Sequence, residues 1–273
     1  YARPRFGPVS NPHGFLHPRL SSGKFFPVII SYPDMISFTT SNGTSIRRLL
    51  GGRSNVFLIS CDNRNILVDT STKTNRRSLI NRLDSLSIKP GSLSALILTH
   101  AHFDHAANAA MIRNTYNAKI IVSEREAGLL ESGTNAPLQG AVPLTRFLYN
   151  FIMKRFNVMD RLVYAPCNHD IVVRGRHDLK DFGFNAYIVP TPGHTAGSMS
   201  VIVDDEIAIA GDALVGVFPG SVLPPWAADR EQMVRSWKIL LDTGCRLFHP
   251  SHGRPRDRGT LLKQYEKYSA RIS

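Results

Sequence analysis

Residues 99–105, Thr-His-Ala-His-Phe-Asp-His, concentrate groups able to bind metal: three of the chain's ten histidines and a carboxylate fall within six positions. The run has the form HxHxDH. It follows an apolar stretch at 93–98 that reads as a strand and precedes a stretch at 106–116 that reads as a helix. Loop residues two apart can point the same way, so His100 and His102 can share one metal ion, while Asp104 and His105 at the helix start can turn toward a second. Three further candidates each end an expected strand in a Gly- or Pro-containing turn: His194 in TPGHTAGS at 191–198, Asp212 in AGDA at 210–213 and His252 in HPSHG at 249–253. Turns at strand ends place side chains at the rim of a sheet, where these groups are expected to converge. Cys61, Cys167 and Cys245 lie far apart with no CxxC, which excludes a thiolate zinc ribbon and a disulfide framework. Any metal must be held by His and carboxylates.

The elements that must carry these turns are short strands and amphipathic helices. Strands are expected at 36–40, 55–60 and 65–69, broken by the Ser-Asn-Gly turn at 41–43 and the Asp62-Asn63 turn. A helix over 76–86 places Leu79, Ile80, Leu83 and Leu86 on one face, and Pro90-Gly91 ends that unit. Strand 93–98, helix 106–116, strand 119–123 and helix 124–131 make the middle an α/β alternation. An irregular insertion at about 132–160, with a helix over 144–156, precedes strands at 171–174, 185–189, 198–203 and 206–210. A helix at 229–241, a strand at 245–248 and a helix at 261–270 close the pattern. Each half runs strands then helices, so the expected fold is a four-layer αββα sandwich, α/β in class, formed as a single domain over 34–273.

With 273 residues, 42% of them apolar and 20% charged, the chain has globular composition. Its net charge of +12 invites a nucleic-acid or membrane reading. Eight of those charges sit at the two ends: Arg3, Arg5, Arg19 and Lys24 face no acid in 1–33, and 254–273 carries six basic residues against Asp257 and Glu266. Residues 1–33, rich in Pro, Gly, Ser and Arg without periodicity, read as a basic N-terminal extension. No basic stretch with interleaved aromatics is present, so a small-molecule substrate is expected and nucleic acid is not. A homodimer remains open. No apolar run reaches the length of a membrane span, and a soluble, cytoplasmic protein is the expectation, an exported form being kept open because the chain starts at Tyr1.

Through THAHFDH at 99–105, TPGHTAGS at 191–198, Gly211-Asp212, PSHG at 250–253 and the strand ending in Asp69-Thr70, the chain resembles the metallo-β-lactamase fold superfamily over roughly residues 50–255. The resemblance implies that His100, His102 and His194 hold one metal, that Asp104, His105 and His252 hold a second, and that Asp212 bridges them. Two Zn ions fit these donors, as would Fe or Mn. Such a pair holds a bridging hydroxide and stabilises developing charge, so the implied activity is a dinuclear metal-dependent hydrolase opening an ester, lactone or related carbonyl bond, with Asp104 and Asp212 as the catalytic carboxylates. Asp69 is then expected to orient a metal-binding His by a hydrogen bond. His249 is expected to be structural, His13, His17, His169 and His177 to lie on the surface, and the three cysteines to be core thiols.

Within the superfamily, Asp212 points toward the lactonase and glyoxalase II-like branch and away from the antibiotic-hydrolysing one. The Cys-Gly-Arg stretch that usually follows the Gly-Asp element in glyoxalase II is missing, and Val215 stands where many quorum-quenching lactonases have a Tyr. A non-heme iron sulfur dioxygenase-like oxidoreductase and a phosphodiesterase or nuclease of the same fold are the alternatives. A substrate pocket is expected from Phe103, from Phe147, Tyr149 and Phe151 of the insertion, and from the loop 218–226, with plain core packing as the competing role for those aromatics.

Overall fold

The computed structural model describes residues 36–270, Lys154 excepted. One sheet has seven strands in spatial order: β1 (Ser37–Thr39), β2 (Ser45–Leu50), β3 (Val56–Cys61), β4 (Arg64–Val68), β5 (Leu93–Ile97), β6 (Lys119–Ser123) and β7 (Ile171–Val173). Pairing is antiparallel from β1 to β4 and parallel from β4 to β7. The other sheet comprises β8 (His177–Asp178), β9 (Ala186–Pro190), β10 (Met199–Val203), β11 (Ile207–Gly211), β12 (Leu247–Pro250) and β13 (Arg256–Asp257), reversed in spatial order, with a parallel β11–β12 pair among antiparallel ones. The helices are α1 (Arg76–Ser85), α2 (Phe103–Ala106), α3 (Ala109–Tyr116), α4 (Ala127–Ser132), α5 (Pro143–Leu148), α6 (Val158–Arg161), α7 (Arg230–Leu241) and α8 (Arg258–Ser269).

Period-two alternation assigns each strand residue to a layer. Ile66 and Val68 of β4 meet Val201 and Val203 of β10 in a core between the two sheets. Leu67, between the first pair, turns to the opposite face and packs with Leu79 and Leu83 of α1 and Ile112 of α3. Ile202 likewise turns out toward Met233, Trp237 and Leu240 of α7 and Leu261 of α8. The result is the expected αββα sandwich, one domain of two mixed sheets with flanking helices.

Departures from the sequence pattern have local causes. β2 escapes it because adjacent Arg47 and Arg48 interrupt the alternation and the pairing shifts register between Arg48 and Leu50. The helix expected over 106–116 is split into α2 and α3 at Asn108, whose side-chain amide donates to the carbonyls of Thr70 and Thr72 at 2.9 Å each. The helix expected over 144–156 stops as α5 at Leu148 and continues as a π-helical turn, Tyr149–Met153. The last long strand lies at Leu247–Pro250, displaced from 245–248. α8 begins at Arg258 because Asp257 caps it, its carboxylate accepting from the Thr260 N–H at 2.9 Å. The expected extension at 1–33 lies outside the described residues. Among the described residues no helix is long and apolar enough to cross a membrane.

Candidate metal centre

β5, β9, β11 and β12 run in directions that bring their C-terminal ends to one rim of the sandwich, and the four motifs leave from those ends. His100, His102, His105, His194 and Asp212 are all buried there, Asp104 and His252 half-buried. All seven expected ligands are therefore brought together. The turn carrying His194 needs Gly193: its φ is +135°, and a Cβ there would lie 2.3 Å from the Met233 backbone of α7.

Three imidazoles form the first group. His100 Nε2 lies 3.0 Å from His102 Nδ1, which lies 3.1 Å from His194 Nε2. The far nitrogen of each ring has its own partner. His102 Nε2 is 3.1 Å from the Ala136 carbonyl and His194 Nδ1 is 3.0 Å from the Trp226 carbonyl, so each donates outward. The Thr99 hydroxyl donates to Asp69 at 2.8 Å and is left to accept from His100 Nδ1 at 3.1 Å. This network assigns the tautomers, and all three lone pairs then face the shared centre.

The second group is Asp104, His105 and His252, whose ligand atoms lie within 4.8 Å of one another. His252 Nε2 is 3.5 Å from Asp104, and His105 Nε2 is 3.7 Å from it. Asp212 Oδ2 stands between the groups, 3.4 Å from His194, 3.3 Å from His252 and 3.8 Å from His105. His105 Nε2 and Asp212 Oδ1 are buried with no hydrogen-bond partner. Leaving such atoms unpaired is costly, and a cation between them would satisfy both. The donor set, imidazoles with carboxylates, fits borderline metals such as Zn.

Charge is distributed to match. Burial, then the neighbouring imidazoles, holds His100 and His102 well below the ordinary histidine value, and burial also lowers His194. These rings are neutral, the form that ligates. His105 is opposed by burial, yet Asp104, Asp69 and Asp212 outweigh it and raise it to about 10 in the metal-free site; a metal ion among the same carboxylates would take the place of that proton. Burial disfavours the Asp212 carboxylate, but His252, His105 and His194 push it well below the carboxylate range.

Two further carboxylates hold the loops. Asp69, in a left-handed conformation (φ +61°), accepts from the Thr99 N–H at 2.8 Å, from His105 Nδ1 at 2.9 Å and from the Ser251 hydroxyl at 3.3 Å. It thus ties two motif-bearing turns, 99–105 and 250–253, to the end of β4 and orients His105, as expected. Glu126, buried just before α4, accepts from the Ala101 and Gly197 N–H groups and from the Thr195 hydroxyl. It clamps the loop of His100 and His102 to that of His194.

An apolar cavity of about 410 Å³ opens on the cluster. Phe103, Leu138, Met159, Leu162, Phe218 and Trp226 contribute to its walls, as does Val215, so no phenol occupies that position. The expectation for the insertion aromatics fails here. Phe147 and Phe151 do not line the cavity and are not core either: they are 66% and 68% exposed, with their rings stacked 5.8 Å apart. Tyr149 turns inward but stops against Trp226, ring centroids 6.2 Å apart. The inward places belong instead to Leu138, Met159 and Leu162, on either side of the helical part of the insertion.

Residues 49–265 match the Metallo-beta-lactamase superfamily. The chain belongs to that superfamily. Among its relatives are the protein YobT of Bacillus subtilis, 26% identical over 73% of this chain and 83% of that one, and a probable metallo-hydrolase of Streptococcus pyogenes serotype M6, 28% identical over 60% and 63%. The hydroxyacylglutathione hydrolase GloC of Haemophilus influenzae is 28% identical over 59% of this chain and 67% of its own. A Cronobacter sakazakii metallo-beta-lactamase structure with an HARLDQ motif superposes with TM-score 0.59 at 17% identity, covering 86% of this chain and 92% of that one. An archaeal superfamily protein, ST1585 of Sulfolobus tokodaii, superposes with TM-score 0.57 at 19% identity over 86% of each chain. These structures share the fold.

Within this metallo-beta-lactamase superfamily chain the remaining histidines divide as expected in part. His249 is buried and packs edge-on against Phe38 and Phe57, a structural role. His169 and His177 are half-buried rather than fully exposed, His169 lying 3.2 Å from Glu131; His13 and His17 are outside the described residues. Cys167 and Cys245 are buried and Cys61 half-buried, all three free. Glu126 had no sequence signal: it is one acid among Glu124, Glu126 and Glu131, and only the folded loops single it out.

Proposed function

We propose that the protein is a dinuclear metal-dependent hydrolase acting on an ester, lactone or related carbonyl bond of an apolar small molecule. The observation that carries this is the pair of inward-facing donor groups sharing Asp212 and opening on an apolar cavity. His100, His102 and His194 would hold one ion and Asp104, His105 and His252 the other, with Asp212 placed between the two groups; Zn is the favoured metal, with Fe and Mn as the other options. Ions bound there supply an activated water at neutral pH and Lewis acidity toward a carbonyl oxygen. Asp69 fixes the His105 ring, and Glu126 fixes the spacing of the first three histidines. Asp104, which lines the cavity, would take the proton given up by the attacking water and pass it to the leaving oxygen. Among the described residues no Lys or Arg lines the cavity, which favours an uncharged carbonyl substrate over a phosphodiester. The kinship with a hydroxyacylglutathione hydrolase supports acyl-bond chemistry in the same fold.

The test is metal quantification on protein purified without chelator, coupled to lactone, thioester, aryl ester, β-lactam and phosphodiester substrates. About two equivalents of metal are expected, with carbonyl hydrolysis that disappears in His102→Ala. Trace metal only, or hydrolysis unchanged in that variant, would overturn the assignment. Iron with oxygen uptake and no hydrolysis would make the protein an oxidoreductase.

A further inference from the structure

Eleven large apolar side chains are exposed among the described residues, and seven of them fall between Leu144 and Val163. Leu144, Phe147, Leu148 and Phe151 follow the i, i+3, i+4, i+7 spacing of one helical stripe, and that stripe faces outward. Singly exposed apolar residues are ordinary, but a contiguous stripe of this kind marks a contact surface. The surface is rigidly joined to the cavity. The Ala141 N–H donates to the Pro225 carbonyl and the Ala227 N–H to the Gln139 carbonyl, both within 3.0 Å, and Trp226 is a wall of the cavity. Val217 and Phe218, also exposed, stand at the cavity rim.

Charge identifies what the surface meets. Residues 132–161 contain Arg146, Lys154, Arg155 and Arg161 against Asp160 alone, and Arg146 and Arg155 are exposed beside the stripe, Arg146 in a cleft that it shares with Asp229, Arg230 and Glu231. An apolar stripe within a segment of cationic excess has the composition of a helix lying in the headgroup region of an anionic bilayer. A second copy would bring the same cations onto this face, and the chain as a whole carries +12. We propose that the exposed apolar face of residues 143–152, with Arg155 and Phe156 beside it, docks on an anionic lipid surface and turns the mouth of the cavity toward it. The proposal stands apart from the hydrolase assignment, because its readout is partition and not turnover.

The experiment is flotation of the full chain with phosphatidylcholine vesicles, with and without phosphatidylserine, at low and physiological salt. Partition onto the phosphatidylserine vesicles is expected, weakening as salt rises. The double variant Phe147→Ser, Phe151→Ser should lose more than about tenfold in partition, since each ring buries apolar area in the bilayer. Arg146→Ala and Arg155→Ala should each lose about fivefold, on the anionic vesicles alone. All four side chains are exposed, and circular dichroism with thermal melting checks that each variant folds. Absence of partition overturns the proposal, as does partition that the double variant leaves unchanged, which would place binding in other basic segments. A wild type that is dimeric by light scattering, made monomeric by the double variant and without vesicle partition, would assign the face to a second copy.

Discussion

Asp204 and Asp212 flank the same strand, β11, and so stand at opposite ends of the sandwich; they are 9% and 6% exposed. Asp204 begins the hairpin turn into β11, where it and Asp205 both have φ +53°. Its oxygens accept from the Thr40 hydroxyl at 2.6 Å and from the amides of Asn42 at 3.1 Å and Asn185 at 3.0 Å, all neutral donors from the β1–β2 turn and the start of β9. Asp212 faces three imidazoles at 3.3–3.8 Å, and its second oxygen has no partner at all. Similarly low exposure thus hides opposite situations. A carboxylate whose bonds are met within the chain holds two sheets together, whereas one whose bonds are left open among ring nitrogens is built to meet something from outside.

Removing the open carboxylate should have the largest effect. Asp212→Asn is expected to lower kcat/KM by about a thousandfold or more, because several kcal/mol of charge stabilisation depend on the ions it helps to hold. The measurement is steady-state hydrolysis of the best substrate in the panel. A loss below about tenfold would put Asp212 in the same class as Asp204 and dissolve the contrast.

Asp69 tests the intermediate case, a fully bonded carboxylate that acts through a ligand. Asp69→Asn should weaken metal affinity about 10- to 100-fold in chelator competition, since the amide cannot accept from both the Thr99 N–H and His105 Nδ1. Supplying excess metal should restore much of the turnover. Turnover that stays low at saturating metal would mean that Asp69 does more than orient the ring.

At the far end the expected effect is on stability alone. Burial disfavours the charged form of Asp204, but its hydrogen bonds from Thr40, Asn42, Thr44 and Asn185 outweigh that and depress its pKa. A depressed folded-state pKa gives stability that is complete above the unfolded value, about 4, and fades as pH falls through it toward the folded value. Asn tolerates the left-handed turn, so Asp204→Asn removes the charge and keeps the backbone. It should cost about 2 kcal/mol in urea unfolding near neutral pH, with kcat/KM unchanged. The gap between variant and wild type should close as the pH drops below about 4, and a gap constant with pH would remove the charge from the explanation.

The sandwich and the residues that converge at its rim could be read from the sequence because both rest on local patterns. The order of strands then helices in each half implied the layers, and HxHxDH with the Gly and Pro turns named residues whose chemistry has few structural substitutes. What escaped depends on which side of an element the folded neighbours occupy. Glu126 becomes a clamp only when Ala101, Thr195 and Gly197 arrive around it. Asn108 breaks a helix because Thr70 and Thr72 stand beside it. The insertion shows the limit most plainly: its aromatic pattern announces an amphipathic helix, but only the seating of Tyr149 on Trp226 decides that Phe147 and Phe151 face out.

That seating gives the smallest expected change. If Phe147 contributes nothing to the folded core, Phe147→Ser should shift unfolding free energy by no more than about 0.5 kcal/mol, as at other exposed positions. Leu162→Ala, at the cavity end of the same segment, removes half-buried wall and should instead raise KM about tenfold for an apolar substrate, with kcat held. Paired urea melts and steady-state kinetics on the two variants separate the faces. A Phe147→Ser loss of 2 kcal/mol or more, typical of core truncations, would show that the stripe supports the domain and would remove the exposed surface on which lipid docking rests.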